Sequence, residues 1–179
     1  MSVLPRRPTY ILGVDQAARS GFALLRRYGV DIDVVDSGVV VDSDERATVV
    51  NWCFRQACEK VEQPRPLIIA MERHTFGTKS TLGGLHAQRG RWLQCIEHAS
   101  IAYKHEFRVK YYMPQFWRAH VLDLPYRTEE DEAKLKARQH SALILSKHVD
   151  EVCADHAEGL CIALCAAKIE KDPKMTGKT

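Results

Sequence analysis

Long apolar runs are missing from this sequence. No hydrophobic stretch in its 179 residues reaches the roughly 20 needed to span a bilayer, so no membrane partner is expected. Met1 to Pro8 carries Arg6 and Arg7 but no apolar stretch ahead of a small-residue cleavage site, which argues against a secretory signal. Internal repeats and low-complexity segments are also absent. The six cysteines (Cys53, Cys58, Cys95, Cys153, Cys161 and Cys165) include no C-x-x-C pair, so the usual spacing of a structural zinc site is lacking. Cys161 and Cys165 stand four apart in an apolar helical pattern. The cysteines read as buried, reduced thiols of an intracellular protein. Nor is there an excess of one charge: 26 basic against 23 acidic residues leave +3. That balance allows a nucleic-acid partner without demanding one, because an acidic site inside a basic groove nearly cancels in the sum.

What is present suits one domain, residues 1–170, with 171–179 as a frayed tail. Apolar residues make up 45 % of the chain, enough for a core, and charged ones 27 %. Thr9 to Val14 reads as a short apolar strand running into Asp15, and Gln16 to Gly21 as a polar turn. Phe22 to Leu25 and Ile32 to Val41 follow as strands, and their short connections predict an antiparallel meander. Asp44 to Glu62 has helical character, with Asp42-Ser43-Asp44 as a start signal and Pro64 as a stop. Leu67 to Met71, between Pro66 and Glu72, is an uninterrupted apolar run and reads as a strand covered on both faces. His74 to Gly84, rich in Gly, Thr and Ser, reads as a loop, and Leu85 to Tyr103 as a long helix. Val109 to Met113 gives a fifth strand, and Pro114 opens a short helix. Thr128 to His148 is expected to be helical. Glu129, Glu130 and Asp131 in its first turn and Lys147 and His148 in its last would complement the helix dipole. Asp155 to Ile169 forms the final helix. The expectation is an α/β domain with a five-stranded mixed sheet flanked by helices.

Four acids fall at the ends of these elements. Asp15 closes the strand I-L-G-V-D, and Glu72 closes L-I-I-A-M-E. Asp155 and Glu158 are three apart at the start of the last helix and so share a face. Each alone has an ordinary explanation as a turn residue, a cap or a dipole-favoured helix residue. Together they would repel one another. A divalent cation relieves that repulsion, and hard oxygen donors favour Mg2+ or Mn2+. Two such ions about 4 Å apart activate water and stabilise the leaving oxygen in phosphodiester hydrolysis.

These segments resemble a known family. I-L-G-V-D-Q-A-A-R-S-G-F-A-L-L is similar to the first hairpin of RuvC-type Holliday-junction resolvases, I-I-A-M-E to their second acidic segment, and D-H-A-E-G-L-C-I-A-L to their D-x-x-D-A-x-x-I-A helix. The likeness runs from about Tyr10 to Ala167 and is loose in the middle. It implies an RNase H-like fold and a two-metal endonuclease of branched DNA, possessing Asp15, Glu72, Asp155 and Glu158 as catalytic residues and metal ligands. Glu158 stands where the family has Asp, which adds a methylene at the fourth position. His156, next to the pair, would be turned about 100° away along the helix.

The resemblance also implies contacts to DNA. The stretch after Glu72, Arg73-His74-Thr75-Phe76-Gly77-Thr78-Lys79, corresponds to the family's junction wedge, with Phe76 shifted by one position. A ring packed under the loop is the other reading of Phe76. Arg73, Lys79 and Arg118 are candidate phosphate contacts, while Trp117 reads as core. Lys134, Lys136 and Arg138 line a basic helix, with Lys136 the nearest counterpart of a basic residue the family uses on DNA. A solvated face explains that helix equally. Gly83, Gly84 and Gly90, beside Leu85, Ala87, Trp92, Leu93 and Ile96, mark the helix that forms a two-fold dimer interface in the family; a core helix is the alternative. The expected partners are branched DNA and a second copy, with no small-molecule substrate, in the cytoplasm or, for a viral protein, the host's cytoplasm. Recombination, repair or processing of packaged viral DNA would be its setting. Alternatives are an RNase H-like nuclease acting on a flap, a replication fork or an RNA–DNA hybrid, and a catalytically silent DNA-binding module. Four retained acids argue against the silent module. A sugar-kinase or actin-type ATPase would need a second Gly-rich phosphate hairpin and about twice the length, and the sequence has neither.

Overall fold

The structure is a computed structural model, described for residues 7–58, 65–73 and 79–170, with the backbone alone over 79–82. Its element order is β1 (Thr9–Val14), β2 (Ser20–Tyr28), β3 (Asp31–Val40), α1 (Ser43–Cys58), β4 (Leu67–Glu72), α2 (Lys79–Tyr103), β5 (Phe107–Tyr112), α3 (Pro114–Leu122), α4 (Glu130–Leu145) and α5 (Ala154–Ile169), with a 3-10 turn at Val149–Glu151. The strands form one five-stranded sheet in the order β3-β2-β1-β4-β5. β1, β2 and β3 are antiparallel neighbours, while β4 runs parallel to β1 and β5 parallel to β4. This is the expected mixed sheet, and the fold is RNase H-like.

Period-2 alternation sorts the strands onto two cores. Ile11 of β1 and Ile68 and Ala70 of β4 face α5, together with Ala23 and Leu25 of β2. Tyr10, Leu12, Val14, Leu67, Ile69 and Met71 face the other way, onto Val50, Cys53 and Phe54 of α1 and Trp92, Ile96 and Ala99 of α2. By the same parity Asp15 and Glu72 fall on the α5 side. α5 is apolar nearly all round and is buried from His156 through Ala167 except at Glu158, as expected for a helix enclosed by a sheet, α3 and α4. It lies unusually close to the sheet. A Cβ on Gly21 would stand 1.6 Å from the Asp155 carbonyl oxygen, and one on Gly159 would stand 2.5 Å from the Gly21 backbone. These two glycines let helix and strand backbones touch, which draws the first turn of α5 over the end of β1.

Several boundaries differ from those read in the sequence. β2 is longer, Ser20–Tyr28, because Arg26 and Arg27 both have places in the sheet. Arg26 pairs with Asp33 at 3.1 Å, and buried Arg27 donates to the carbonyls of Ala167 and Glu170 at the end of α5. α2 begins at Lys79, so 79–84 is helix rather than loop; Gly83 and Gly84 are tolerated inside it, in open surroundings. α4 stops at Leu145, with Ser146 left-handed at φ 53°, and Lys147 and His148 therefore lie beyond its last turn. His148 instead caps the following 3-10 turn. Glu130 and Asp131 lie in the first turn of α4 as expected, while Glu129 is its N-cap residue and the helix starts at Glu130 rather than Thr128. Asp42 caps α1, accepting from the Glu45 N–H at 2.8 Å. Residues 59–62, read as the end of that helix, and the tail 171–179 lie outside the described residues, as do His74 to Thr78.

Candidate active site

Asp15 follows β1 directly, and its N–H donates to the Gly21 carbonyl at 2.9 Å, closing the hairpin that leads into β2. The residue is 6 % exposed. Burial, then the carboxylates of Glu158, Glu72 and Asp155, push its acid well above the usual carboxylate range, against a lowering hydrogen bond from the Ala17 backbone. All four sequence-read acids therefore share one electrostatic neighbourhood. Glu72, the last residue of β4, is buried and doubly held. Its Oε2 accepts from Trp117 Nε1 at 2.9 Å, and its backbone carbonyl accepts from Gln16 Nε2 at 2.8 Å. Glu158 is pushed up to about 7, first by burial and then by Glu72, with Arg118 and Lys134 opposing. Asp155 is more open and faces Arg19 Nε at 3.5 Å.

Cations surround the acids without neutralising them. Arg118 Nη2 lies 3.8 Å from Glu158 Oε1. Lys134 pairs with Glu130 at 2.6 Å and interacts electrostatically with Glu158. Lys136, two residues on, is exposed, and among the described residues no hydrogen bond or ion pair joins it to the acids. Arg138 turns to its own chain, donating to the carbonyls of Val152 (2.8 Å) and Val149 (3.0 Å) and facing Asp150 at 3.5 Å. Arg73 is exposed, next to Glu72, with its backbone N–H on the Tyr112 carbonyl. Phe76 lies outside the described residues, and of Lys79 only the backbone, at the start of α2, is described. His156 points away from the acids: its Nε2 lies 2.8 Å from Ser37 Oγ of β3, and burial holds its pKa down.

Three contributors escaped the sequence reading. The sequence places Gln16 in a turn and Trp117 in the core, yet both grip Glu72. Arg19, in the same turn, faces Asp155. The available signal was position: Gln16 adjoins one acid, and Trp117 adjoins a cation already suspected of touching the site.

Four carboxylates are hard donors, and their mutual crowding, which raises Asp15 and Glu158, is what a divalent cation would relieve, so the set fits such a cation in kind. Among the described residues, no group of three or more His, Cys, Asp or Glu side chains is placed to hold a metal ion as it stands. Cys53, Cys161 and Cys165 are buried free thiols and Cys58, Cys95 and Cys153 partly buried ones; burial raises the thiols of Cys53, Cys161 and Cys165, which suits inert core residues. No helix among the described residues is long and apolar enough to cross a membrane.

Fold and acid placement together define an α/β domain of RNase H-like architecture with a carboxylate cluster where β1, β4 and α5 meet. Thermus thermophilus RuvC in complex with a Holliday junction substrate matches it with a TM-score of 0.56 and 17 % identity, over 89 % of this chain and 93 % of that one. A second T. thermophilus RuvC structure gives 0.55 and 16 % over the same shares. The human cytomegalovirus terminase nuclease domain, Mn soaked and inhibitor bound, gives 0.48 and 10 %, over 89 % of this chain and 83 % of that one, too low a score to carry weight. At these identities the likeness is one of fold. No family model and no curated protein matches the sequence.

Proposed function

We propose that the protein is a metal-dependent endonuclease that hydrolyses phosphodiester bonds in branched DNA, with four-way junctions as its substrate. The observation that carries this is the convergence of Asp15 and Glu72, from the ends of adjacent parallel strands, on the Asp155/Glu158 pair of α5, within an RNase H-like sheet. Those four residues would hold one or two Mg2+ or Mn2+ ions. Such ions activate water and neutralise charge building on the phosphate. Burial of Asp15 and Glu72 keeps bulk water from screening the charges.

The remaining residues serve to bind and orient DNA. Arg118, 3.8 Å from Glu158, and Lys134, which interacts with it electrostatically, are suited to a phosphate at the reacting position. Arg73, at the lip beside Glu72, and Lys79 and Lys136, farther out, would meet flanking phosphates. Arg138, tied to the 3-10 turn, would act mainly by fixing α4. Phe76, four residues past Glu72, is proposed to stack on a base opened at the branch point. A homodimer with α2 at its two-fold axis would present two matching sites to the two symmetric strands of a junction. A role in recombination, repair or processing of packaged viral DNA, inside a bacterial or infected cell, follows from that substrate.

A comparison of a four-way junction, a flap, a linear duplex and an RNA–DNA hybrid, each with Mg2+, Mn2+ or EDTA, tests the proposal. Junction cleavage that requires metal and disappears in Asp15→Asn supports it. Preferred cleavage of the flap or hybrid would move the substrate assignment to another RNase H-like nuclease. Cleavage in excess chelator would overturn the metal assignment.

A further inference from the structure

We infer that Trp117 is a positioning residue for the Glu72 carboxylate, setting its orientation toward a bound divalent cation; this rests on the metal site proposed above. Trp117 is fully buried among the residues that α3 and α5 pack against the sheet. Its single polar group, the indole N–H, can only donate. A buried donor needs an acceptor, and a main-chain carbonyl or a hydroxyl would have served. Instead it reaches Glu72 Oε2, 45 residues away in sequence, at 2.9 Å. A charge-assisted bond of this kind is stronger than one to a neutral oxygen.

The neighbouring contacts complete the arrangement. Gln16, also fully buried, holds the Glu72 carbonyl through Nε2 at 2.8 Å. The residue is therefore fixed at its main chain by the β1 hairpin and at its carboxylate by α3. Arg118, next in sequence to Trp117, lays its guanidinium over the Trp117 ring at 5.3 Å and faces Glu158 at 3.8 Å. One short segment of α3 thus orients two of the acids, Glu72 by a hydrogen bond and Glu158 by a charge. A hydrogen bond that only filled a packing need would have no reason to couple with cation affinity.

Calorimetric titration of the full chain with Mn2+ decides the matter in a double-mutant cycle of Trp117→Phe and Glu72→Gln. Trp117→Phe keeps most of the ring and removes the donor. It is expected to weaken Mn2+ binding by about 10- to 100-fold, the scale seen when an outer-shell partner of a metal ligand is lost, and to have no further effect in the Glu72→Gln background. Equal weakening in both backgrounds, or none in a folded Trp117→Phe protein, would overturn the inference while leaving the nuclease reading intact. A wild-type protein that binds no Mn2+ would overturn both. A second readout leaves Trp117 unmutated: Glu72→Gln is expected to shift one of the three tryptophan indole 15N–1H resonances, the one that Trp117→Phe deletes or, should that variant not fold, the one identified through its contacts to α5. An unmoved Trp117 resonance would overturn the inference even if Trp117→Phe does not fold.

Discussion

Two arginines stacked on buried tryptophans, one on each face of the sheet, use the same local device for different ends. On the α1/α2 face, Arg46 lies over the Trp92 ring at 5.4 Å, and the Trp92 N–H donates to Ser20 Oγ at 3.1 Å. Ser20 in turn donates to the Ala17 carbonyl, so this stack braces the hairpin turn after Asp15. On the α5 face, Arg118 lies over Trp117, and the Trp117 N–H goes to Glu72. Rings and cations match; the acceptors differ. Arg46 is 2 % exposed, and among the described residues it has a hydrogen bond to Gln88 but no ion pair, whereas Arg118 faces an acid. Chemistry follows from what the indole reaches, and neither stack could be told from the other by residue type.

The sharpest way to break this comparison is to remove the acids that make the α5 face special. Asp15→Asn and Glu72→Gln are expected to lower junction cleavage by at least about 100-fold, beyond the loss typical of outer-shell partners, with junction binding retained or tightened. Gel-shift and single-turnover cleavage assays on the same preparations would show it. A near wild-type rate in either variant would remove that residue from the site.

Next in size is the exchange between the two tryptophans. Trp92→Phe is expected to cost about 1–3 kcal/mol of stability through lost core contacts and a lost hydrogen bond, with Mn2+ affinity unchanged once the folded fraction is accounted for. Trp117→Phe is expected to carry a similar stability cost and, in addition, to weaken Mn2+ binding, and denaturant melts beside metal titrations separate the two.

The arginines should differ as well. Arg118→Met is expected to reduce the salt dependence of junction binding by about one in log–log slope, the mark of one lost phosphate contact. Arg46→Met is expected to leave that slope unchanged and to be neutral or stabilising, because it removes a buried charge that lacks an ion pair. An altered slope in Arg46→Met would place DNA on the other face.

A pH effect on the metal-free protein sharpens the electrostatic side. The folded values of Asp15 and Glu158 lie above their ordinary values. Stability tied to Glu158 is therefore complete below its ordinary value of 4.5 and is lost as pH rises through about 7, and that tied to Asp15 is likewise lost as pH rises. The buried histidines His105 and His156 have lowered values and act in the opposite direction, so the comparison is made against Glu158→Gln. With chelator present, wild type should lose more melting temperature than Glu158→Gln between pH 5 and 8, and Mn2+ should reverse the loss. Parallel pH profiles would contradict the coupling of these acids.

The smallest effect expected is on α2. A Cβ on Gly90 would meet nothing within 4 Å, so Gly90→Ala should stabilise an isolated chain by about 0.5–1 kcal/mol. If α2 lies at a dimer axis, the same change should weaken self-association in sedimentation, and an unaffected dimer would move the interface elsewhere.

Much of the fold was legible from local pattern. The uninterrupted apolar run of β4 and the apolar α5 each carry their burial in their own composition, because a segment covered on all sides has to be apolar on all sides, while the meander of β1 to β3 was legible from its short connections. Asp15, Glu72, Asp155 and Glu158 were legible as element-ending acids for a related reason: an ionisable group just past a buried strand has few ordinary roles. Less was visible where long-range contacts overrode local preference. Gly83 and Gly84 suggested a loop and lie in a helix, and Lys147 and His148 suggested a helix end that Ser146 had already closed.

The sequence by itself thus determined the order of strands and helices and that Asp15, Glu72, Asp155 and Glu158 stand at element ends, since both are local properties of the pattern. Only the tertiary structure decided that Gly21 and Gly159 bring α5 into backbone contact with β2, that Lys134 rather than Lys136 neighbours Glu158, and that Gln16 and Trp117 close on Glu72. Those outcomes depend on the distance and rotation between elements far apart in the chain. They are set by how whole surfaces pack, and no spacing along the sequence encodes them.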